Sequence, residues 1–370
     1  MFFSGKNKAS YLLLNPAKKT FILHSMYSLE VDTVSNTEWS TLLQQFDDAT
    51  IYQTWPCGAV LWGAGRLSHV VLRNGDEAAG IAQVAAIQTP VLRGGTALVF
   101  WGPLWRRRGG TENHRAFARL VESLRVEYVG RRGMFLRVIP NEMGSNENEV
   151  RETLERAGFS WKGRFYRTYI LDISPPLVDL RKQLRQKWRN CLNRAEKEDL
   201  TVRDDTGNEV YETFYAIFQE MQERKKIAEI SIDPLQLREI QKSLPEELKT
   251  RIFLCEKEKR PLAGAVISVI GDTALLVLAA SNAEGRSVMA SYFLQWNIIV
   301  WLKMKGVRFY DLGGTSPIHP EVNYFKAGIG GENVSHAGSF EQCANPLSSL
   351  FDRSLGILKY GRKSLSRKIS

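Results

Sequence analysis

The same run of elements is written twice along this chain, and that repetition constrains the fold more than any bulk figure. In the first half an apolar run from His69 to Arg73 meets a turn at Asn74-Gly75-Asp76 and resumes from Ala79 to Gln88. Asn-Gly between two such runs is a hairpin signal, because both residues accept the positive φ of a tight turn. A third strand, Ala97 to Trp101, breaks at Gly102-Pro103; a helix is predicted over Glu112 to Val129 and a further strand over Met134 to Ile139. The second half replays the order. Arg251 to Glu256, a polar turn, Leu262 to Ile270, a turn at Gly271-Asp272 and Thr273 to Ala280 lead to a helix (Ser287 to Lys305) and a strand (Val307 to Leu312). Gly80 and Gly264 fall at matching places after the hairpin turns, and Gly133 and Gly306 both precede the strand after the long helix. The pattern predicts two copies of one α/β unit, matched by order of elements more than by identity.

A length of 370 residues accommodates both copies. The expected division is a disordered leader over 1–26, a first domain over 27–174, a second over 175–345, and a basic tail over 346–370. The apolar run Tyr11 to Leu14 is cut by Asn15-Pro16 and is too short for a secretory signal. Val288 to Met304 carries Gln295, Asn297 and Lys303, so it is expected as a buried helix instead of a bilayer span. Four separated cysteines and five scattered histidines show neither metal-ligand spacing nor a disulfide framework, which fits a reducing cytoplasm. A net charge of +10 favours acidic partners: nucleic acid, diphosphate-bearing donors or anionic lipid.

Between the copies, after Pro175-Pro176, one helix is predicted over Val178 to Asp199. Leu180, Leu184, Trp188, Leu192 and Ala195 form its apolar stripe, with Arg181, Arg185 and Arg189 beside it at the same interval. Three guanidinium groups on one face would hold phosphates; a solvated face explains them equally. The next helix, Glu209 to Lys226, turns Phe214, Phe218 and Met221 inward and ends in Arg224-Lys225-Lys226, where cations also suit the helix dipole.

The chemistry is expected in Phe309, Tyr310, Asp311, Leu312, Gly313, Gly314 and Thr315, followed by Phe325-Lys326 and the glycines up to Glu332. Glycines let backbone approach a ligand, and Lys326 adds a mobile cation, which together describe a cation-lined transfer site. Asp311, Glu321 and Glu332 are candidate proton acceptors. Asp311 is preferred for its place at a strand end, where capping of the turn is its alternative role. No Ser-His-Asp or Cys-His spacing points to a covalent acyl-enzyme, so direct transfer is favoured.

These segments, with the run Lys187 to Lys197 (Lys-Trp-Arg-Asn-Cys-Leu-Asn-Arg-Ala-Glu-Lys), resemble the FemABX family and the broader FemAB-like and BioF2-like acyltransferases. The resemblance runs from about Tyr27 to Glu341 and is specific in the second half. It implies an α/β (α+β) fold of two tandem GNAT-like domains, mixed sheets flanked by helices, that moves an aminoacyl or acyl group onto an amine of a peptidoglycan or polysaccharide precursor. It implies Lys326 at the transfer site, beside Phe325, Tyr310, Gly313 and Gly314, and Arg224 on the diphosphate of the acceptor. Two features depart from the pattern: Arg106-Arg107-Arg108 follow Gly102-Pro103 where an acidic residue is common, and no lysine follows Trp55, Arg66 being the nearest cation.

The implied donor is aminoacyl-tRNA or acyl-CoA, with no bound cofactor. For acyl-CoA the loop Ala283 to Ala290 has only one glycine. For tRNA, the Arg181, Arg185 and Arg189 stripe, Arg106 to Arg108 and the tail supply positive charge. The tail would also serve peripheral contact with an anionic membrane bearing the acceptor. Two other functions remain open at this level: a non-catalytic nucleic-acid or membrane-surface binding protein on the same scaffold, and a small-molecule N-acetyltransferase.

Overall fold

The computed structural model describes residues 27–88, 94–144, 147–164, 166–225, 232–315 and 319–344, and the backbone of 13–15 and 20–23. The basic tail expected over 346–370 lies outside the described residues. Sixteen strands are present in these segments. In the first half they are β1 (Leu13–Asn15), β2 (Thr20–Leu23), β3 (Tyr27–Val31), β4 (Leu67–Asn74), β5 (Glu77–Gln88), β6 (Gly95–Phe100), β7 (Phe135–Ile139), β8 (Ser160–Trp161) and β9 (Arg167–Asp172). The second half holds β10 (Thr201–Asp205), β11 (Arg251–Lys257), β12 (Arg260–Val269), β13 (Thr273–Ser281), β14 (Phe309–Gly314), β15 (Glu332–Ser335) and β16 (Phe340–Cys343).

They form two sheets, ordered β1-β2-β3-β4-β5-β6-β7-β16-β8 and β10-β11-β12-β13-β14-β9-β15. Neighbours are antiparallel except β6/β7 and β13/β14. A parallel pair needs a crossover, and each is bridged by a helix: His114–Leu124, continued by a π-helical stretch to Arg131, and Ala290–Met304. The two halves are thus one unit repeated, as the element order predicts. Gly80 and Gly264 both leave room for a helix side chain, Leu120 over one and Phe214 over the other.

Sheet membership crosses the division drawn at 174/175. β9 inserts between β14 and β15 of the second sheet, and β16 returns to sit between β7 and β8 of the first. A strand settles on whichever edge satisfies its backbone donors and acceptors, and alternation along the chain does not say which edge that is. Residues 13–15 and 20–23, placed in the leader by sequence, extend the first sheet through β3.

The predicted linker helix is two helices, Leu177–Gln183 and Gln186–Ala195, parted by extended backbone at Leu184 and Arg185. The Arg185 N–H donates to the Gly328 carbonyl at 2.9 Å, which docks the break onto the helix Pro320–Gly328. The apolar stripe survives the break, since Leu180, Leu184, Trp188, Leu192 and Ala195 are all buried.

A shared core joins the halves. It runs from Val71, Ile81 and Leu104 of the first to Leu254, Val266 and Leu278 of the second, with Phe214 and Phe218 between. Continuous apolar burial of this kind opposes free motion of one half against the other. At the seam a β-carbon on Gly271 would lie 2.0 Å from the Asp47 carbonyl, and the Asp272 N–H donates to that same carbonyl at 3.0 Å. Among the described residues no helix is long and apolar enough to cross a membrane.

Candidate active site

The two parallel pairs differ in one respect. β6 and β7 stay in register through five pairs, from Thr96 opposite Phe135 to Phe100 opposite Ile139. β13 and β14 keep only three, ending at Leu275 opposite Asp311. Beyond Asp311, β14 bulges where it pairs with β9, and Gly313 adopts φ 78°, which glycine enters without the strain a β-carbon imposes.

Two charged side chains hold that bulge. The buried Asp311 carboxylate accepts from the Gly313 N–H at 2.7 Å and from the Thr168 hydroxyl. The Lys326 Nζ, on helix Pro320–Gly328, donates to the carbonyls of Gly313 at 2.9 Å and Gly314 at 2.8 Å. Burial raises the Asp311 pKa above the ordinary carboxylate value, opposed by the Thr168 and Gly313 hydrogen bonds and the Lys326 charge. Asp311 therefore both caps the turn and carries a shifted acidity. Burial, with the Asp311 charge, keeps the neighbouring Tyr166 hydroxyl protonated.

Other expected residues fall on different surfaces. Strand alternation sends Tyr310 to the face opposite Asp311, where it is fully buried and donates to Gln295 Oε1 at 2.8 Å; it is a core residue, out of reach of a substrate. Phe325 packs on Tyr292 and Trp188, with ring centroids 4.9 and 5.8 Å away. Arg224 donates to the carbonyl of Ser281, the last residue of β13, at 2.9 Å, and its Nη1 pairs with the Glu220 carboxylate at 3.6 Å. Beside it Lys225 pairs with Glu321 at 3.4 Å, tying this helix end to the helix that carries Lys326.

The arginine stripe is not one face. The helix break separates Arg181 from Arg189, and Arg181 is held by both carboxylate oxygens of Glu196 and by Asn193. Arg185 is exposed at the break, and Arg189 is half-buried. Arg106, Arg107 and Arg108 are also engaged, with Glu142, Glu77 and Asp47, and Arg108 further bonds the Ile270 carbonyl across the seam. Arg181 and Arg106 to Arg108 are thus drawn to groups of the chain, while Arg185 stays exposed.

Between the halves lies a cavity of about 610 Å³. It shares Asp47, Arg106, Asn141, Met143 and Thr273 with a pocket of about 50 Å³ that reaches Asp311, Tyr52, Tyr166 and His336. Three buried titratable groups there were not among the expected site residues. Burial pushes Asp48 up to about 6 although it accepts from the Trp105 and Arg106 N–H groups, and pushes Glu142 up to about 7. His336, between Trp101 and Tyr166, is held down at about 3 by burial, against a hydrogen bond with the Pro140 backbone, so it is neutral at ordinary pH. By contrast the buried His69, stacked 3.7 Å from Trp55, bonds Gln83 and belongs to the packing. The only sequence signal for Glu142 is its place just past the end of β7. Among the described residues no group of His, Cys, Asp or Glu side chains is arranged to hold a metal ion.

A family model described as an acetyltransferase (GNAT) domain matches residues 179–326. Among solved structures, FemX aligns with a TM-score of 0.74 at 16% identity, over 87% of this chain and 100% of that one. L-PGS from Bacillus licheniformis aligns with a TM-score of 0.50 at 13% identity, over 82% and 91%. A conserved protein of unknown function from Bacteroides thetaiotaomicron gives 0.53 at 11% identity, over 85% and 99%. No curated protein sequence matches the chain. At these identities the structural likenesses establish a common fold.

Proposed function

We propose that this FemABX-like protein of tandem GNAT fold, an acyltransferase, moves an acyl or aminoacyl group directly from an activated donor to an amine of a cell-envelope precursor. The observation that carries the reading is the bulge at Gly313 and Gly314, held by Asp311 and Lys326 where β13 and β14 part. From Leu276 onward the β13 edge facing β14 has no strand partner among the described residues, so an extended donor has backbone groups to pair with.

In this reading the acceptor ammonium first gives a proton to Asp311, whose raised pKa suits it to that role better than an ordinary carboxylate. The amine nitrogen then attacks the donor carbonyl. The tetrahedral oxyanion forms near the Lys326 ammonium; its collapse re-forms the carbonyl and breaks the bond to the leaving oxygen or sulfur, which takes up the proton that the attacking nitrogen loses. Holding both reactants at the bulge supplies several kcal/mol of the acceleration, on the order of that for other oriented reactions. Arg224, near the end of the helix Asn208–Lys225 and bonded to the Ser281 carbonyl, would meet a phosphate of either substrate.

The test is transfer of label from aminoacyl-tRNA and from acyl-CoA to an amine acceptor, run side by side. One donor is expected to support transfer; transfer from neither would overturn the enzymatic reading.

A further inference from the structure

The crossover helix of the second half, Ala290–Met304, is apolar on both of its sides. Leu294, Ile298, Ile299 and Leu302 are buried on the side that packs on the second sheet. On the outer side Phe293, Trp296, Val300, Trp301 and Met304 recur at helical spacing; the first four are half-buried and Met304 is 74% exposed. The duplication supplies a comparison. The helix at the same place in the first half, His114–Leu124, also buries one side, with Phe117, Leu120, Val121 and Leu124, but its outer positions are Arg115, Ala118, Arg119 and Glu122. That is what contact with water selects. An apolar outer side at the equivalent place marks a surface that something else covers.

The patch extends sideways. Val178, 61% exposed, lies on the helix Leu177–Gln183, which two contacts lay alongside: Arg181 stands over the Trp296 ring, 5.6 Å from its centroid, and Lys303 Nζ donates to the Ser174 carbonyl at 2.9 Å. Cations form its rim. Arg251 and Lys305 each stand 5.5 Å from the Trp301 centroid. Between Glu284 and Asp311 the sequence holds four cations, Arg286, Lys303, Lys305 and Arg308, and no acid. The acids at the rim, Glu196, Asp179 and Asp204, are already held by Arg181, Lys182 and Arg251.

A second copy of the chain is a poor match for this surface. A twofold contact lays the patch on itself and sets cation against cation, with the rim acids already paired. Fifteen residues rise only about 22 Å, short of the hydrocarbon core of a bilayer, so the helix does not span one. A membrane surface bearing anionic headgroups answers both features. Tryptophan settles between headgroups and acyl chains, and flanking lysine and arginine reach the phosphates.

We infer that this face lies on an anionic phospholipid bilayer, with the helix Ala290–Met304 parallel to the membrane plane. Trp296, Trp301, Met304 and Val178 enter the interfacial layer, while Arg181, Lys182, Arg251 and Lys305 meet the headgroups. The inference does not rest on the transferase reading, since none of Val178, Trp296, Trp301 and Met304 lines the cavity or the small pocket.

The experiment is flotation of the full chain with vesicles of phosphatidylglycerol and phosphatidylcholine, and with vesicles of phosphatidylcholine alone. Binding to the mixed vesicles is expected, about tenfold weaker to phosphatidylcholine and weakened by added salt. Val178→Glu combined with Met304→Glu, both at exposed positions, is expected to reduce binding at least about tenfold with the thermal midpoint kept. Thr41→Glu combined with Ala118→Glu makes the same change of charge at exposed positions of the first half and is expected to leave binding unchanged. Brominated acyl chains are expected to quench tryptophan emission in the wild type and not in the Val178 and Met304 variant. No flotation, equal flotation with phosphatidylcholine, or binding that the Val178 and Met304 pair leaves intact would each overturn the inference. So would equal loss in both pairs, or a dimer in solution that the Val178 and Met304 pair dissociates. Vesicle binding is read without donor or acceptor, so this inference and the transferase reading stand or fall separately.

Discussion

Asp311 and Lys326 grip one glycine from its two sides: the carboxylate accepts the Gly313 N–H at 2.7 Å while the ammonium donates to the Gly313 carbonyl at 2.9 Å. The acid and the cation are thereby fixed relative to each other through a backbone that only a residue tolerant of φ 78° adopts without strain. Fixing both charges before substrate arrives is what a transfer site requires, since reorganisation during the reaction would raise the barrier.

Tyr310 separates packing from chemistry. Tyr310→Phe leaves Gln295 Oε1 without its donor in the core, so a loss of stability of about 1 kcal/mol is expected with the transfer rate unchanged. Chemical denaturation and a rate measurement on the same preparation check this. A large fall in rate at unchanged stability would return Tyr310 to the site.

The seam between the halves is expected to be intolerant at Gly271. Gly271→Ala puts a β-carbon 2.0 Å from the Asp47 carbonyl and 3.0 Å from that of Ala49. Backbone must shift there, at a cost of roughly 1–3 kcal/mol in the free energy of unfolding, read by chemical denaturation. A neutral outcome would mean that the halves are not held in this contact.

Glu142 carries a stability cost whose sign follows from its acidity. Its carboxyl titrates near 7 in the folded chain against 4.5 ordinarily, so between those values the folded state holds more protons than the unfolded one. Its contribution therefore falls as pH rises through that window, reaching a penalty on the order of 3 kcal/mol above pH 7. Glu142→Gln is expected to match the wild type at pH 4 and exceed it at pH 8. His69 acts in the opposite sense: burial lowers it from 6.5 to about 4, so its contribution is complete above 6.5 and lost as pH falls toward 4. Comparing the variant with the wild type at each pH cancels the His69 contribution and isolates Glu142.

Much of the fold is legible because its signals are local. The Asn74-Gly75-Asp76 turn and the alternation on either side define a hairpin without reference to anything distant. The exchange of β9 and β16 between sheets is not legible, because an edge's unpaired backbone is a property of the assembled fold. Nor is the break at Leu184 and Arg185, where neither glycine nor proline marks it and the cause is a hydrogen bond to Gly328. In the site, the glycines flag Asp311 and Lys326. Alternation alone already implies that Tyr310 and Asp311 point to opposite faces. Glu142 and His336 carry no motif; Glu142 lines the cavity and His336 the small pocket that reaches Asp311, and a bridge between Met143 and His336, far apart in sequence, brings them together.

The most direct test of the account is the rate of transfer by Asp311→Asn, measured with whichever donor supports the wild type. Asparagine keeps an acceptor for the Gly313 N–H and the Thr168 hydroxyl, so the bulge and the fold are retained while the proton acceptor is lost. A fall in kcat of about 10²-fold or more, with the thermal midpoint preserved, is the result predicted. A rate within a factor of about three of wild type, with its pH dependence intact, would contradict the assignment of Asp311 as the base.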